Sequence, residues 1–343
     1  MTVPSVVATA PGRVNLIGDH TDYTGGRCLP MAIDRWVEVA GDAQPGGSVV
    51  ELRSEAEDVA VTIPLDIVDT TSGPEWGRYV AAVVKRVRPA HGFRGVVRSD
   101  LPIGAGLSSS AALEVATALA LGADASSPLA LATLCRDAEH EARGVPTGLL
   151  DQLASILGVA GHALILDCST NTVTPTPLPP PDEAEVVVVA GAPRHLASTG
   201  YAQRVEECRR VEEEIGPLRK ATPDDVEGLT DPMLRRRARH VVTENARVGQ
   251  LAAALAAGRL TEAGDIMNVS HASLRDDYES STSTVDELCD ELRAVPGVLG
   301  ARITGGGWGG AVVVLAMPGV LDGRGWPVHA VDGASVRTTG PAI

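Results

Sequence analysis

The spacing of apolar and polar positions predicts strands in both halves of the chain. Strict alternation in segments such as VVELRS and VAVTIP is typical of half-buried β-strands, as are short runs rich in valine. These patterns predict strands over residues 3–8, 27–41, 49–64, 94–99, 162–167, 185–190, 299–304 and 311–316. The C-terminal segment is rich in glycine and proline and predicts only one short strand, near residues 328–331.

Longer segments with helical spacing and good helix formers predict helices between and after these strands. They cover residues 76–87, 111–121, 128–144, 147–157, 201–215, 233–257, 261–274 and 285–293. Pro128, directly after Ser127, is typical of the first residue of a helix, and Gly144 and Gly158 are typical of helix ends. Residues 170–182, TNTVTPTPLPPPD, have the composition of a surface linker.

Composition restricts the classes of function. With 343 residues, 44% of them apolar, the chain can form two domains with real cores. The net charge of −15, from 29 Lys and Arg against 44 Asp and Glu, argues against nucleic acid or an anionic membrane as partner. Five widely spaced cysteines without a CxxC pair fit a reducing cytoplasm and not a structural zinc site. The sequence has no signal-peptide pattern and no apolar run of ~20 residues, so we expect a cytoplasmic protein.

Residues 101–112, LPIGAGLSSSAA, form the strongest candidate for a ligand-binding loop. Gly104 and Gly106 let backbone N–H groups approach a ligand, and the serines that follow can cap the helix predicted from Ala111. Free N–H groups and the positive end of a helix dipole together favour phosphate. The loop is not a P-loop, because the chain's only lysines, Lys85 and Lys220, lie elsewhere in the sequence.

A second polar segment, residues 10–26, carries more hydrogen-bonding side chains than a solvated turn needs. These side chains are Arg13, Asn15, Asp19, His20, Asp22 and Tyr23. The pair His20 and Asp22 could begin a metal site, but no third ligand has suitable spacing. Carboxylates and an imidazole can bind several hydroxyl groups at once, so a polyhydroxylated ligand fits this segment better.

Residues 12–23, GRVNLIGDHTDY, resemble the signature of the galactokinase family. The loop at 101–112 resembles the ATP loop of the wider GHMP kinases, and residues 144–152, 194–201 and 302–310 agree in family order. The resemblance implies a two-domain α+β fold, with an N-terminal domain like domain 2 of ribosomal protein S5 and a ferredoxin-like C-terminal domain. We place these domains at residues 1–180 and 181–343, with the active site between them.

The resemblance also implies the reaction and the residues that perform it. The reaction would transfer the γ-phosphoryl group of ATP to the anomeric hydroxyl of galactose, with Asp151 as catalytic carboxylate and Arg13 as its partner. The sugar would be held by Asp19, His20, Asp22, the Gly148 backbone and Tyr201. ATP would be held by Trp76, Pro102, Gly104, Ala105, Gly106, Leu107, Ser108, Ser109 and Ser110. Mg²⁺ would be bound by Ser110 and Glu139, because a hydroxyl and a carboxylate suit this small hard ion.

One departure from the family pattern keeps alternatives open. Position 19 is Asp where most galactokinases have Glu, which affects how the C6 end of the sugar is recognised. A kinase for galacturonate, N-acetylgalactosamine or arabinose is one alternative, and a non-catalytic sugar sensor on the same fold is another. The intact residues 108–112 and Asp151 argue against the sensor. We expect a monomer that binds small molecules only.

Overall fold

In the described part of the chain, the fold combines three sheets with helices that pack against them. The computed structural model describes residues 5–57, 59–102, 106–144, 147–191 and 197–339. The strands in this part of the chain are β1 (Val6–Asn15), β2 (Arg27–Cys28), β3 (Pro30–Gln44), β4 (Val49–Ser54), β5 (Val61–Pro64), β6 (Gly92–Ser99), β7 (His162–Asp167), β8 (Thr172–Pro177), β9 (Glu185–Ala190), β10 (Val298–Thr304), β11 (Ala311–Ala316), β12 (Trp326–Val328) and β13 (Ser335–Thr338).

Every helix predicted from the sequence is confirmed, with ends that differ by a few residues. The α-helices are α1 (Glu75–Val87), α2 (Ser109–Ala120), α3 (Pro128–Arg143), α4 (Leu150–Leu157), α5 (Ala197–Ile215), α6 (Pro223–Gly228), α7 (Pro232–Ala256), α8 (Leu260–Asp276) and α9 (Ser283–Arg293). Short 3₁₀ helices lie at Asp22–Thr24 and Leu218–Lys220. In the described ranges, no helix is both long and apolar enough to cross a bilayer.

The N-terminal half is built on a six-stranded sheet with the order β13-β1-β3-β6-β4-β5. Helices α2 and α4 pack against β1 and β3, and α1 and α3 pack around α2. The long pairing of β1 with β3 holds the sugar-signature segment in place, because β1 continues to Asn15. The predicted strand over residues 3–8 is therefore too short. The extended conformation of β1 continues into the first polar residues of the signature.

The C-terminal half contains a four-stranded sheet with the order β10-β11-β9-β12. The valine-rich strands β9 and β11 pair along their whole length, and every residue of β11 is buried. Helices α8 and α9 pack against β10. The contact of α8 with β10 depends on Gly264, because a Cβ there would lie 2.2 Å from the carbonyl oxygen of Leu299.

Two segments differ from the sequence-based expectations. Residues 172–177, expected in a linker, form β8, which pairs with β7 at the edge of the three-stranded sheet β2-β7-β8. Pro175 and Pro177 are tolerated there because one side of an edge strand needs no N–H donors. The C-terminal segment supplies β12 at Trp326–Val328, and it also supplies β13, which pairs with β1 of the N-terminal sheet. The boundary at 180/181 lies between β8 and β9 and stays a prediction.

Candidate active site

A pocket of about 150 Å³ lies where the end of β1, the start of α4 and the loop after β10 meet. It brings together the predicted catalytic pair and all the predicted sugar-binding residues, although they are far apart in the sequence. The lining residues are Arg13, Asn15, Gly18, Asp19, His20, Asp22, Glu139, Arg143, Thr147, Gly148, Leu150, Asp151, Tyr201, Gly305 and Gly306. Four of them are carboxylates and two are arginines, so the pocket is strongly polar.

Asp151 is held from two directions at the floor of this pocket. Arg13 donates to its Oδ1 from Nε and Nη2, both at 2.7 Å, and Ser108 Oγ donates to its Oδ2 at 2.5 Å. Helix α4 begins at Leu150, later than predicted, so Asp151 lies in the first turn, where the helix dipole favours a negative charge. The Asp151 side chain keeps 28% of its surface exposed, so this fixed carboxylate remains accessible from the pocket.

The candidate phosphate loop is attached to β1 by its backbone. The Arg13 backbone N–H donates to the Leu107 carbonyl at 3.1 Å, and Arg13 Nη1 donates to the Gly106 carbonyl at 2.8 Å. Gly12 permits this approach, because a Cβ there would lie 2.7 Å from the Leu107 oxygen. Leu107 itself is buried in the core, so it can offer a ligand only its backbone. The predicted ATP-binding residues Gly104 and Ala105 lie outside the described residues.

Ser108 departs from the helix-cap role that the sequence indicates for one of the three serines. It occupies the N-cap position of α2 in a left-handed conformation with φ 58°, and its side chain makes no cap hydrogen bond. Its hydroxyl donates to Asp151 instead. The Ser108 side chain therefore accepts no hydrogen bond from the first N–H groups of α2. A helix end that binds phosphate needs such uncapped N–H groups.

Ser110 and Glu139 are adjacent, as predicted. Ser110 Oγ donates to Glu139 Oε1 at 3.0 Å, and Glu139 is only 2% exposed. Arg143 reaches the same oxygen at 3.2 Å, while Thr147 and Gln152 each donate to Oε2 at 3.1 Å. In the described part of the chain no three His, Cys, Asp or Glu residues cluster as a metal site. One carboxylate and one hydroxyl fit Mg²⁺, which keeps several waters and takes its other ligands from substrate phosphates.

Asp19 is largely occupied by protein partners. Its Oδ1 accepts from Asn15 Nδ2 at 2.9 Å and from the Gly305 N–H at 3.0 Å. Its Oδ2 accepts from Arg302 Nη2 at 2.5 Å. Burial raises the pKa of Asp19, and the nearby charge of Arg302 opposes this rise. Arg302 was missed by the sequence reasoning, since a fully buried arginine in a strand gives no periodic signal.

His20 and Asp22 both line the pocket. His20 adopts a left-handed backbone with φ 65°, and burial lowers its pKa well below the usual value, so the ring is neutral. Burial raises the pKa of Asp22 to about 6. A Cβ on Gly148 would lie 2.4 Å from Asp22 Oδ2, which explains why glycine is required opposite this carboxylate.

Aromatic rings surround His20 on the side that faces the C-terminal half. The Tyr201 ring lies 5.7 Å from the His20 ring, and the Tyr278 and Trp308 rings lie 4.7 and 6.0 Å from it. Tyr278 and Trp308 were not predicted as site residues. Aromatic residues make up only 3% of the chain, so this concentration around one histidine is a signal the sequence reasoning could have used.

Trp76 lies elsewhere. It is the second residue of α1, is half-buried and packs against the main hydrophobic core. Its indole Nε1 is buried and has no hydrogen-bond partner in the part of the chain that the structure describes. Trp76 does not line the pocket around Asp151. Its contact with adenine stays a prediction.

Comparison with known proteins first defines the class. The chain matches the GHMP kinases N terminal domain over residues 78–159 and the GHMP kinases C terminal domain over residues 251–319. Mevalonate kinase from Methanococcus jannaschii shares the fold, with a TM-score of 0.69 at 18% identity over 95% of this chain and 98% of that one. The predicted two-domain α+β GHMP kinase fold is thus confirmed. The two domain matches define the class as the GHMP kinases.

Further comparisons identify one family within this class. Residues 2–43 match the galactokinase galactose-binding signature. Human galactokinase is 40% identical over 328 residues, covering 91% of this chain and 84% of the human protein. Galactokinase from Chloroflexus aurantiacus is 40% identical over 363 residues, covering 98% and 89%. The structure of Lactococcus lactis galactokinase complexed with galactose superimposes with a TM-score of 0.86 at 29% identity, over 96% of this chain and 95% of that one. The chain belongs to the galactokinase family.

Proposed function

We propose that this protein transfers the γ-phosphoryl group of ATP to the anomeric hydroxyl of galactose, which gives galactose 1-phosphate. One observation carries the proposal. Asp151 is held between Arg13 and Ser108 at the floor of the pocket whose wall contains His20 and Asp22. A fixed carboxylate next to side chains suited to hydroxyl groups is what a sugar kinase needs. The 40% identity to galactokinases over most of the chain supports galactose as the sugar.

Asp151 accepts the proton of the attacking hydroxyl or orients that hydroxyl for attack. Phosphoryl transfer depends mainly on alignment and charge stabilisation, so the fixed position of the carboxylate matters at least as much as its basicity. Arg13 holds Asp151 through two nitrogens and presents its positive charge at the same place. Arg13 therefore also stabilises the negative charge that develops in the transition state.

The nucleotide lies on the loop at residues 101–112. The backbone N–H groups of this loop and the start of α2 bind its phosphates, since they combine free donors with the positive end of the helix dipole. Ser110 and Glu139 would hold Mg²⁺ beside these phosphates. The ion would supply the positive charge that the chain cannot provide with a loop lysine, because it has none there.

The sugar hydroxyls are bound by His20, Asp22, the Gly148 backbone and Tyr201. Asp19 faces the C6 hydroxyl with what remains of its hydrogen-bonding capacity. A carboxylate has about four acceptor positions, and three protein donors already occupy Asp19. We propose a cytoplasmic monomer, and the five free cysteines of the structure fit a reducing compartment.

A coupled assay of ATP consumption across a sugar panel tests this function. The panel contains galactose, 6-deoxygalactose, galacturonate, N-acetylgalactosamine and arabinose. We expect efficient turnover with galactose, weaker turnover with 6-deoxygalactose, and rejection of galacturonate by repulsion from the pocket's carboxylates. A preference for galacturonate would assign the protein to the sugar-acid kinases. Galactose binding without ATP consumption would identify a sensor.

A further inference from the structure

Four polar groups form a continuous hydrogen-bonded chain that begins at the pocket and ends in the core of the C-terminal half. His20 Nδ1 lies 3.1 Å from Tyr23 Oη, and Tyr23 Oη lies 2.5 Å from Tyr278 Oη. Tyr278 Oη lies 3.2 Å from Cys208 Sγ. Tyr278 and Cys208 are almost completely buried, so water does not compete for the contact between them, while Tyr23 is half-buried. None of the roles described above uses Tyr23, Tyr278 or Cys208.

Only two states of this chain use both phenol protons within it. Each phenol has one proton, so if all three contacts are hydrogen bonds and neither phenol proton points out of the chain, every donor must point the same way. In one direction Tyr23 donates to His20 Nδ1, and in the other Tyr278 donates to the sulfur of Cys208. An imidazole nitrogen is a strong acceptor and a thiol sulfur is a weak one. The direction toward His20 therefore forms the stronger set of bonds.

The other ring nitrogen of His20 gives an independent indication. Nε2 is buried and has no hydrogen-bond partner among the described residues, and His20 lines the pocket. The pocket also contains the carboxylates of Asp19, Asp22, Asp151 and Glu139, which outnumber the guanidinium groups of Arg13 and Arg143. A proton on Nε2 is electrostatically favoured over a lone pair in these surroundings. Because burial keeps the ring neutral, a proton on Nε2 leaves Nδ1 as the acceptor that the chain requires.

We propose that Tyr23 and Tyr278 are positioning residues that fix His20 as the tautomer with its proton on Nε2. His20 then donates a hydrogen bond to a sugar oxygen, while the neighbouring Asp22 accepts one from a sugar hydroxyl. The Tyr278 ring also fixes the plane of the imidazole, since it packs 4.7 Å from His20 and 4.5 Å from His240. This inference rests on the proposed function for its ligand, but the tautomer belongs to the free protein.

The tautomer can be measured by NMR on the full-length protein labelled with ¹⁵N-histidine, without substrate. The His20→Gln variant assigns the His20 signals among the eight histidines. We expect a protonated Nε2 and an unprotonated Nδ1 in the wild type. Tyr23→Phe removes the donor and should shift the population toward a protonated Nδ1. Tyr278→Phe keeps the ring but removes the hydroxyl that orients the Tyr23 proton toward His20. This variant should therefore give a mixture of the two His20 tautomers.

Kinetics provide the second readout. Both Phe variants should raise the KM for galactose roughly two- to tenfold, the range for one neutral hydrogen bond, and leave the KM for ATP within about twofold. Cys208→Ala should have a smaller effect of the same kind. Cys289→Ala, the same change at another buried cysteine of this core, is the control and should change neither constant.

Two results would overturn the inference. The first is a wild-type spectrum with the proton on Nδ1. The second is a Tyr23→Phe variant that folds and shows unchanged tautomer and unchanged KM for galactose. Because the spectrum is recorded without sugar or ATP, a wrong tautomer contradicts this inference alone. An absence of turnover with galactose would contradict the proposed function and leave the tautomer assignment intact.

Discussion

Arg302 Nη2 lies 2.5 Å from Asp19 Oδ2, and this pair joins the two halves of the molecule at the pocket. Asp19 follows β1 of the N-terminal sheet, and Arg302 belongs to β10 of the C-terminal sheet. The Arg302 side chain is fully buried, and its Nη1 donates to the Leu16 carbonyl at 2.9 Å. Glu244 lies 3.7 Å from the same guanidinium. Burial alone would raise the pKa of Glu244, but His240, Arg302 and Arg247 lower it to about 2.

Removal of the Asp19 carboxylate should therefore destabilise the whole protein. Asp19→Ala leaves the Arg302 charge buried with only a more distant partner, and breaking a buried pair in this way costs about 3–5 kcal/mol. Urea unfolding at pH 7 measures the loss. Glu38→Ala is the control, because Glu38 pairs with the half-exposed Arg98 and should cost less than about 1 kcal/mol. Equal losses in the two variants would show that the Asp19 pair does not join the halves.

The Asp19 pair also shows where sequence reasoning reached its limit. The signature identified Asp19 as a sugar-site residue, and it does line the pocket. Its main partner, however, lies 283 positions away, and periodicity predicts which positions are buried, not which distant residue they meet. The same limit explains Tyr278, which reaches His20 only because α8 folds back toward the signature segment.

Among the described residues, every α-helix except the short α6 could be predicted, whereas two edge strands could not, for a related reason. A helix is defined by local spacing and by end signals such as Pro128 and Gly144, which the sequence displays directly. The strand β8 contains Pro175 and Pro177, and its pairing depends on β7 offering a free edge. β13 is exposed on every residue, so it has no apolar pattern, and only its pairing with β1 defines it.

Asp151→Asn should abolish most of the turnover. The amide cannot accept the proton of the sugar hydroxyl, so we expect kcat to fall by roughly 10²-fold or more, the usual size of general-base effects. Asn keeps the shape of Asp, so ATP binding measured by calorimetry should be preserved. A variant that retains near-normal kcat would remove Asp151 from the mechanism, and one that loses ATP binding would indicate a structural role.

Ser108→Ala tests whether the hydroxyl that holds Asp151 Oδ2 contributes to alignment. Loss of this hydrogen bond frees one side of the carboxylate, so kcat should fall about 3- to 30-fold. The neighbouring Ser109 has an exposed side chain. Ser109→Ala should therefore alter the KM for ATP more than kcat. The opposite division between the two serines would contradict the assignment of Ser108 to Asp151.

Glu139→Ala should weaken activity in a way that added magnesium partly restores. The carboxylate is next to Ser110, and its loss lowers occupancy of the metal without removing the phosphate loop. Titration of MgCl₂ at fixed ATP measures the shift, and Glu139→Gln separates charge from packing because it keeps the bulk against Gln152. A complete loss that does not respond to magnesium would make Glu139 a structural residue.

Asp22→Asn should weaken sugar binding and should raise the stability of the protein at high pH. Burial raises the pKa of Asp22 from 3.8 to about 6, so the folded state binds this proton more tightly than the unfolded state. The resulting stabilisation is complete below pH 3.8 and is lost as the pH rises through 6. At pH 8 the wild type thus carries a partly buried negative charge that the amide lacks.

The expected gain for Asp22→Asn at pH 8 is roughly 1–3 kcal/mol, since each pKa unit corresponds to about 1.4 kcal/mol and the carboxylate keeps some contact with water. The gain should shrink toward zero near pH 4. Urea unfolding at both pH values measures it, with the exposed Asp182→Asn as a control that stays within about 0.5 kcal/mol.

In the wild type, kcat/KM for galactose should fall as the pH drops below about 6, because only the ionised carboxylate is a full acceptor for sugar hydroxyls. A variant that is no more stable than the wild type at pH 8 would show that burial does not destabilise the charged form of Asp22. A fall in kcat/KM at acidic pH would then have to come from the protonation of another carboxylate.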